Sequence, residues 1–139
     1  MGLTIPAVVA WAAREFGDAE ALADAGPGGF RLSYRSLWGR VQGVAAALIE
    51  AGVGAGDRVA IWGPNDGYWV LAALGALTAG GVLVPVSTRF TGPEALDVIG
   101  RSGARALFVA GDFLGADRLR ALLRAVAEDL DDGVPDQEA

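Results

Sequence analysis

The 139-residue chain lacks three residue types that carry much of enzyme chemistry, because it contains no cysteine, no histidine and no lysine. Without cysteine it can form neither a disulfide nor a thiolate metal site. Without histidine and lysine it has no Ser-His pair, no Schiff-base amine and no phosphate-binding lysine. The sequence therefore offers no candidate catalytic residue and no candidate metal ligand set.

The net charge of −6 comes entirely from the C-terminal end of the chain. Residues 1–127 hold eleven arginines and eleven acidic residues, whereas residues 128–139 hold six acidic residues and no basic one. A nucleic-acid-binding protein needs a basic stripe, so we expect no nucleic-acid partner. We predict one folded domain over residues 1–128 and an acidic, disordered tail over 129–139. Deletion of residues 130–139 is expected to leave the thermal midpoint nearly unchanged.

Residues 67–88 carry no charge, so a protein anchored by a membrane-spanning helix is one interpretation of this stretch. A Gly-Gly pair at 80–81 interrupts it, and the β-branched run at 82–86 contains a proline, which favours a buried helix followed by a buried strand. We predict no membrane span. No basic region precedes the apolar stretch at 3–13, so no secretory signal is expected and the predicted location is cytoplasmic.

The first third of the sequence predicts a helix, a hairpin and a second helix. Thr4 is the expected N-cap of the first helix. Five apolar side chains on one face of that helix are expected to point to the core, namely Ile5, Val8, Val9, Ala12 and Phe16. Strands at 21–23 and 30–32 are predicted around the Gly-rich turn at 26–29. The second helix begins after Ser33 and ends at Gly52, with an inward stripe formed by Leu37, Val41, Val44, Ala45 and Leu48.

Three continuous apolar runs follow, at 59–62, 82–84 and 106–109, about 24 residues apart. Such runs are typical of strands that are covered on both faces. Helices are predicted between them at 66–79 and 93–102, as in the βα units of a parallel sheet. The predicted fold class is therefore α/β, a mostly parallel sheet with flanking helices, and a last helix is predicted at about 114–128.

The Gly-rich segment from Gly52 to Asp57 invites comparison with a dinucleotide-binding loop. Such a loop follows a strand and opens a helix, so that the helix N-terminus faces the phosphate. Here the glycines follow a helix and precede a strand. The segment is therefore predicted to be a helix stop and a turn.

Two segments lie where a strand gives way to a helix, the position at which open α/β sheets bind ligands. The first, at 63–66, presents Asn65 and Asp66 either as the edge of a pocket or as a helix cap, and the cap is favoured.

In the second, at 87–94, Thr91 and Glu94 have the spacing of a capping box. Arg89 is the only cation in the predicted strand-to-helix loops. It could meet a carboxylate or phosphate of a ligand, or be an ordinary surface or ion-paired arginine.

The order of several short segments resembles the opening of the adenylate-forming ligases, over roughly residues 2–115. Those segments are Thr4-Ile5-Pro6, Phe16-Gly17-Asp18, Ser33 to Leu37, Gly52 to Ile61, Pro64-Asn65, Gly80 to Val86, Thr88 to Thr91 with Glu94, and Ser102 to Arg105. No single segment is diagnostic, but the ordered set is similar to an AMP-forming fatty-acid–CoA ligase, of long or medium chain specificity. Ser87 departs from this pattern, because relatives have asparagine there.

The resemblance implies that the family joins a fatty acid or other carboxylate to coenzyme A, with ATP and Mg²⁺, through an acyl-adenylate. It also implies that the phosphate loop and a catalytic lysine lie beyond this stretch, so the chain alone needs no cofactor and is expected to be inactive. The fold it implies is an incomplete N-terminal subdomain, whose partner would be the remainder of the enzyme. The alternative is a stand-alone binding or interaction module that kept the fold and lost the chemistry.

Overall fold

A computed structural model describes residues 3–132. Within that range five helices and seven strands are formed. In chain order they are α1 (Ile5–Glu15), β1 (Glu20–Ala23), β2 (Arg31–Ser33), α2 (Tyr34–Glu50), β3 (Arg58–Trp62), α3 (Gly67–Thr78), β4 (Val82–Val86), α4 (Gly92–Ser102), β5 (Ala106–Val109), β6 (Asp112–Phe113), β7 (Ala116–Asp117) and α5 (Arg118–Asp132).

The three predicted apolar runs form one parallel sheet in the order β4-β3-β5. In its register Val59 lies between Leu83 and Ala106, and Trp62 lies between Val86 and Val109. The chain passes from β3 to β4 through α3 and returns to the other side of β3 through α4. The predicted α/β class with a parallel sheet and flanking helices is confirmed.

Alternate side chains of β3 point into two separate parts of the core. Val59 and Ile61 pack against α2 and α3, where the buried partners are Leu48, Ala72, Ala73 and Ala76. Ala60 and Trp62 face α4 and α5, where the buried partners are Ala95 and Leu122. The sheet is therefore covered by one helix pair on each face, as the continuous apolar runs predict.

The antiparallel hairpin of β1 and β2 and the inward stripe of α2 also agree with the sequence. Gly52 follows α2 with a φ of 93°, a conformation that glycine adopts without the clash that a Cβ would cause. The Asp57 carboxylate then accepts a hydrogen bond from the Gly54 N–H at 2.8 Å. The glycine-rich segment is thus a turn between α2 and β3, as predicted.

Helix α1 corrects one prediction. Thr4 caps it as expected, but the face expected to be buried is largely open to solvent. Ile5 is 56% exposed and Phe16 47% exposed, whereas Ala12, which was predicted to face inward, is buried together with Ala13. The small alanine side chains allow close packing of α1 on α2 and α3, which leaves the larger side chains outside.

The region after β5 corrects a second prediction. The last helix begins at Arg118, not near residue 114, because β6 and β7 form a short hairpin at 112–117. Leu114 and Gly115 turn this hairpin with φ values of 51° and 72°. Helix α5 then continues to Asp132, four residues into the stretch assigned to the tail. The rest of the predicted tail, residues 133–139, lies outside the described residues.

The uncharged stretch 67–88 forms α3 and β4, and it does not form a single helix. Among residues 3–132 no helix is both long enough and apolar enough to cross a membrane. The predicted helix and strand at this position are confirmed, and the spanning-helix interpretation is not.

Candidate binding site at the carboxyl edge of the sheet

Three loops meet where the parallel strands end, at 63–66, 87–91 and 110–117. Helix α3, which follows β3, packs on one face of the sheet, and α5, which follows β5, packs on the other face. The connections from these two neighbouring strands therefore diverge, and the switch point lies between β3 and β5. Open α/β sheets bind their ligands in the crevice at this switch point. The carboxyl edge between β3 and β5 is therefore the first place to look for a site.

A cavity of about 320 Å³ occupies that crevice. Most of its lining is apolar or aromatic, with contributions from β3, β5, the loop between β3 and α3, and α3 itself. The lining residues are Ile61, Trp62, Gly63, Pro64, Asp66, Tyr68, Trp69, Ala72, Phe108, Val109 and Ala110. The size is at the lower end of small-molecule sites, and the aromatic walls suit an apolar group.

Asp66 is a helix cap, which confirms the favoured interpretation of this loop. Its carboxylate accepts a hydrogen bond from the Trp69 N–H at 2.8 Å and so satisfies a free donor at the start of α3. Asn65, the neighbouring candidate, is exposed and lines two further cavities, of about 340 and 390 Å³, beside the one between β3 and β5. One of these also contains Ser87 and Thr88, so Asn65 faces the second loop across a shared cleft.

A second carboxylate at the start of α3 was not identified from the sequence. Asp24, in the turn of the hairpin, accepts hydrogen bonds from the Gly67 N–H at 2.9 Å and the Gly26 N–H at 3.0 Å. These two bonds, the one from Gly67 first, hold the pKa of the Asp24 carboxyl below its usual value. A Cβ on Gly67 would lie 2.7 Å from the Phe30 ring, so glycine permits this approach. Asp24 and Gly67 are 43 positions apart, so the sequence carries no local signal of the contact.

Trp62 and Arg118 join all three loops. The fully buried Trp62 donates from its indole nitrogen to the Ser87 carbonyl at 3.0 Å. The Arg118 guanidinium lies over the Trp62 ring, 5.5 Å from its centroid, and donates to the Thr88 carbonyl at 2.9 Å. Cation–π contact and a backbone hydrogen bond thus fix the second loop against the end of β3. This role of Arg118 was not predicted, because the residue lies within the predicted last helix and outside the predicted strand-to-helix loops.

Arg89 lies in the second loop with its side chain exposed. Its backbone N–H donates to the Ser87 hydroxyl at 3.2 Å. Among residues 3–132 no carboxylate lies within 4.0 Å of its guanidinium, so the described part of the chain does not pair it. Arg89 does not line the cavity between β3 and β5. The structure therefore puts Asn65 and Arg89 on adjacent loops without bringing them into one pocket.

The second loop ends in the predicted capping box. The Thr91 N–H donates to the Glu94 carboxylate at 2.7 Å, and the Glu94 N–H donates to the Thr91 hydroxyl at 3.5 Å. The bond from the Thr91 backbone, followed by that from its hydroxyl, lowers the pKa of the Glu94 carboxyl. The Glu94 carboxylate, like those of Asp66 and Asp24, is therefore engaged in fixing a loop.

The polar side chains at this edge mostly hold the loops in place. The carboxylates of Asp24, Asp66 and Glu94 accept backbone hydrogen bonds, and the other polar groups are hydroxyls, the Asn65 amide, the Asp112 carboxylate and arginine side chains. Within residues 3–132, acidic side chains form no group of three that could hold a metal ion.

Comparison with known proteins places these features in a family. The family of AMP-binding enzymes matches residues 9–138. A methyl-dioxo-octahydro-indenyl-propanoyl:CoA ligase of Rhodococcus jostii (strain RHA1) is 50% identical over 119 residues, which are 86% of this chain and 22% of the relative. The human mitochondrial medium-chain acyl-CoA ligase ACSF2 is 35% identical over 83 residues, 60% of this chain and 14% of that protein.

Solved structures agree with the sequence relatives. The inhibitor-bound N-terminal domain of FACL13 from Mycobacterium tuberculosis superposes with a TM-score of 0.71 at 26% identity, over 76% of this chain and 26% of that one. The chain spans about a fifth of the length of the curated relatives it matches. The resemblance read from the ordered segments is confirmed, and the chain belongs to the family of AMP-binding enzymes.

Proposed function

We propose that this chain is the N-terminal part of an acyl-CoA ligase and forms one wall of its adenylation domain. The reaction joins a carboxylate to coenzyme A while ATP is converted to AMP and pyrophosphate. The observation that carries the proposal is the apolar cavity at the switch point of the sheet, in a chain that belongs to the AMP-binding enzymes. The cavity lies where such sheets bind ligands, and its walls contain no catalytic group.

The chain by itself should not catalyse adenylate formation. Lysine and histidine are absent, and no phosphate-binding loop follows a strand within it. ATP, Mg²⁺ and coenzyme A are therefore proposed as ligands of the longer enzyme. ATP–pyrophosphate exchange with the isolated chain should equal a blank without protein. Exchange above that blank, in a preparation free of host ligases, would contradict the proposal.

The acid that we propose as substrate carries a fused bicyclic ring on a propanoate chain. The Rhodococcus ligase named for such a substrate is 50% identical to this chain, against 35% for the human medium-chain ligase over a shorter stretch. A straight-chain fatty acid is the second candidate. The test is a chimera in which this chain replaces the matching 119 residues of the Rhodococcus ligase. We expect it to prefer the bicyclic acid to octanoate by at least about tenfold in kcat/KM.

Two loop residues remain our candidates for ligand contact in that chimera, Asn65 and Arg89. Both are exposed on neighbouring loops of the carboxyl edge, and Arg89 has no ion-pair partner in the described part of the chain. Arg89→Ala should raise KM for the acid or for ATP by about tenfold if the guanidinium meets a ligand anion. Arg14→Ala removes another exposed arginine, on α1, and serves as the control. Equal KM values for the two variants would remove Arg89 from the site.

The remainder of the enzyme is the partner that we propose for the isolated chain. Large apolar side chains such as Ile5, Trp11 and Leu123 are exposed. We expect the isolated chain to bind a hydrophobic dye and to scatter light, and expect both signals to fall when the remaining part of a homologous ligase is added. A monodisperse monomer with a sharp melt and no dye binding would favour the stand-alone module.

A further inference from the structure

Arg118 is the charged residue at the carboxyl edge that the stability of the fold explains least. It lies in the first turn of α5, where the helix dipole disfavours positive charge. Its Nε is buried without a hydrogen-bond partner among residues 3–132. Within the same range no carboxylate lies within 4.0 Å of its guanidinium. A partly buried cation without a paired carboxylate and an unsatisfied donor both cost free energy, so a role beyond stability is indicated.

Two aromatic rings and the backbone hold Arg118 in this place. The guanidinium lies 5.5 Å from the centroid of the Trp62 ring and 5.9 Å from that of the Phe113 ring. The Arg118 backbone N–H donates to the Gly111 carbonyl at 2.9 Å, and the Ala110 N–H donates to the Trp62 carbonyl at 2.9 Å. The start of α5 is thereby fixed on the ends of β3 and β5, and the guanidinium extends from a well-anchored backbone.

The loop at 87–91 is what the Arg118 side chain holds. Its guanidinium donates to the Thr88 carbonyl at 2.9 Å, one residue after the carbonyl that accepts from the Trp62 indole. The capping box at the start of α4 fixes the other end of the loop. Arg89, the exposed candidate for ligand contact, lies between these two anchors. Loss of the Arg118 side chain would therefore release Arg89 on one side while α4 stays capped.

We propose that Arg118 is a positioning residue, which acts on ligand binding by holding Arg89 and its loop in place. The inference rests on the proposed function, because it takes the carboxyl edge as a wall of the ligand site. Arg118 does not line the cavity between β3 and β5, so its effect is indirect. A displacement of about 1 Å in a binding group is enough to lower a rate by about a hundredfold. The start of α5 thus helps to set the affinity of a site that it does not line.

Trypsin measures the hold on this loop directly in the full chain. The chain contains no lysine, so trypsin cleaves only after its arginines, and the bond from Arg89 to Phe90 lies within the loop. Arg118→Met keeps a long unbranched side chain and removes the donors and the charge. We expect cleavage after Arg89 to be about tenfold faster in this variant than in the unaltered chain, because the loop opens more often. Arg118→Lys keeps a charge over the rings and should lie between the two.

A matched substitution on the same helix separates loop release from general destabilisation. Arg124→Met makes the same change at an exposed position of α5 and should leave cleavage after Arg89 unchanged. Cleavage after Arg40, which precedes the fully buried Val41 in α2, reports global unfolding in the same samples. Equal cleavage after Arg89 in the two methionine variants would overturn the proposal. So would an acceleration after Arg40 as large as that after Arg89, because it would mean that Arg118 only stabilises the whole domain.

The chimera with the Rhodococcus ligase connects the loop to ligand binding. Arg118→Met should raise the KM of the substrate whose KM Arg89→Ala raises by about fivefold, with a change in kcat below about twofold. In the Arg89→Ala background it should add less than about twofold, because little is then left to position. Arg124→Met should leave every KM unchanged.

An effect of Arg118→Met that is as large in the Arg89→Ala background as in the unaltered chimera would overturn the proposal. An unchanged KM in Arg118→Met would overturn it as well. A chimera without activity would count against the proposed function, and the trypsin comparison would then still decide whether Arg118 holds the loop.

Discussion

Strands β3 and β5 have the same apolar character, but they are buried to very different degrees. Residues Val59 to Trp62 of β3 are at most 3% exposed, whereas every residue of β5 is only partly buried. The difference comes from position, because β3 lies between two strands and β5 pairs with one strand in the described part of the chain. A continuous apolar run thus shows that a strand needs cover on both faces and edges. It does not show whether this chain provides that cover.

The same difference separates the two helix layers. The layer of α2 and α3 buries Leu37, Val41 and Leu71 beside the β1–β2 hairpin, and it buries Ala72, Ala73 and Ala76 against β3. The layer of α4 and α5 buries fewer residues, and α5 exposes three leucines. The β5 side of the molecule is therefore the side on which further protein is expected to pack.

The largest effect should come from Trp62, the residue at which β3 and the carboxyl-edge loops meet. Trp62→Ala removes a fully buried ring, its hydrogen bond to the Ser87 carbonyl and the surface on which Arg118 lies. We expect a loss of about 3–5 kcal/mol in the free energy of unfolding, measured by urea denaturation. Trp62→Phe keeps an aromatic ring and should cost about half as much. A loss below about 1 kcal/mol for Trp62→Ala would mean that the carboxyl edge is not anchored there.

A matched pair of valines tests the comparison of the two strands itself. Val59 in β3 is fully buried, and Val109 at the end of β5 is half-buried. Val59→Ala should lower the free energy of unfolding by about 2 kcal/mol and Val109→Ala by less than about 1 kcal/mol, because less apolar surface is lost at the edge strand. Urea titration of both variants measures the difference. Equal losses would show that β5 is covered as fully as β3.

A smaller, pH-dependent effect is expected from Asp24, which anchors the loop after β3 from outside the sheet. Its folded-state pKa is lowered by hydrogen bonds from the Gly67 and Gly26 N–H groups. A lowered pKa means that the stabilisation is present above the unfolded-state pKa and is lost as pH falls through the folded-state value. Asp24→Asn should therefore lower the thermal midpoint at pH 7 and have little effect below about pH 3.

Glu50→Gln makes the corresponding carboxyl-to-amide change at an exposed position at the end of α2 and serves as the control for Asp24→Asn. It should leave the midpoint nearly unchanged at both pH values. A pH-independent loss in Asp24→Asn would mean that the bonds from Gly67 and Gly26 do not depend on the carboxylate charge.

The sequence predicts the elements that depend on local signals. The strands β3, β4 and β5 follow from continuous apolar runs, and α3 and α4 from the caps at Asp66 and Thr91. The buried face of α1 was predicted only in part. Ala12 is buried as predicted, but the large side chains of Ile5 and Phe16 are exposed, because close packing selects the alanines at 12 and 13. Apolar periodicity identifies a face that can be buried, and helix packing decides whether it is.

The carboxyl-edge site was only partly predictable for a similar reason. The loops at 63–66 and 87–91 follow from strand and helix boundaries, so the location of Asn65 and Arg89 at the carboxyl edge of the sheet was predictable. The contacts from Asp24 to Gly67 and from Arg118 to Trp62 join residues 43 and 56 positions apart. Such contacts depend on how the strands are ordered in the sheet, and sequence spacing does not give that order.

The smallest effect is expected at the far end of α5, where the described chain is least buried. Removing residues 130–139 deletes Leu130, which is 66% exposed, and the acidic residues Asp131, Asp132, Asp136 and Glu138. Negative charge at a helix C-terminus is unfavourable, so the loss of a small apolar contact is offset by reduced repulsion. Calorimetry should show a midpoint within about 2 °C of the full chain. A fall of more than about 5 °C corresponds to about 1 kcal/mol in a domain of this size. It would mean that the acidic end packs on the domain, and that the α4–α5 side is better covered than the comparison of β3 with β5 implies.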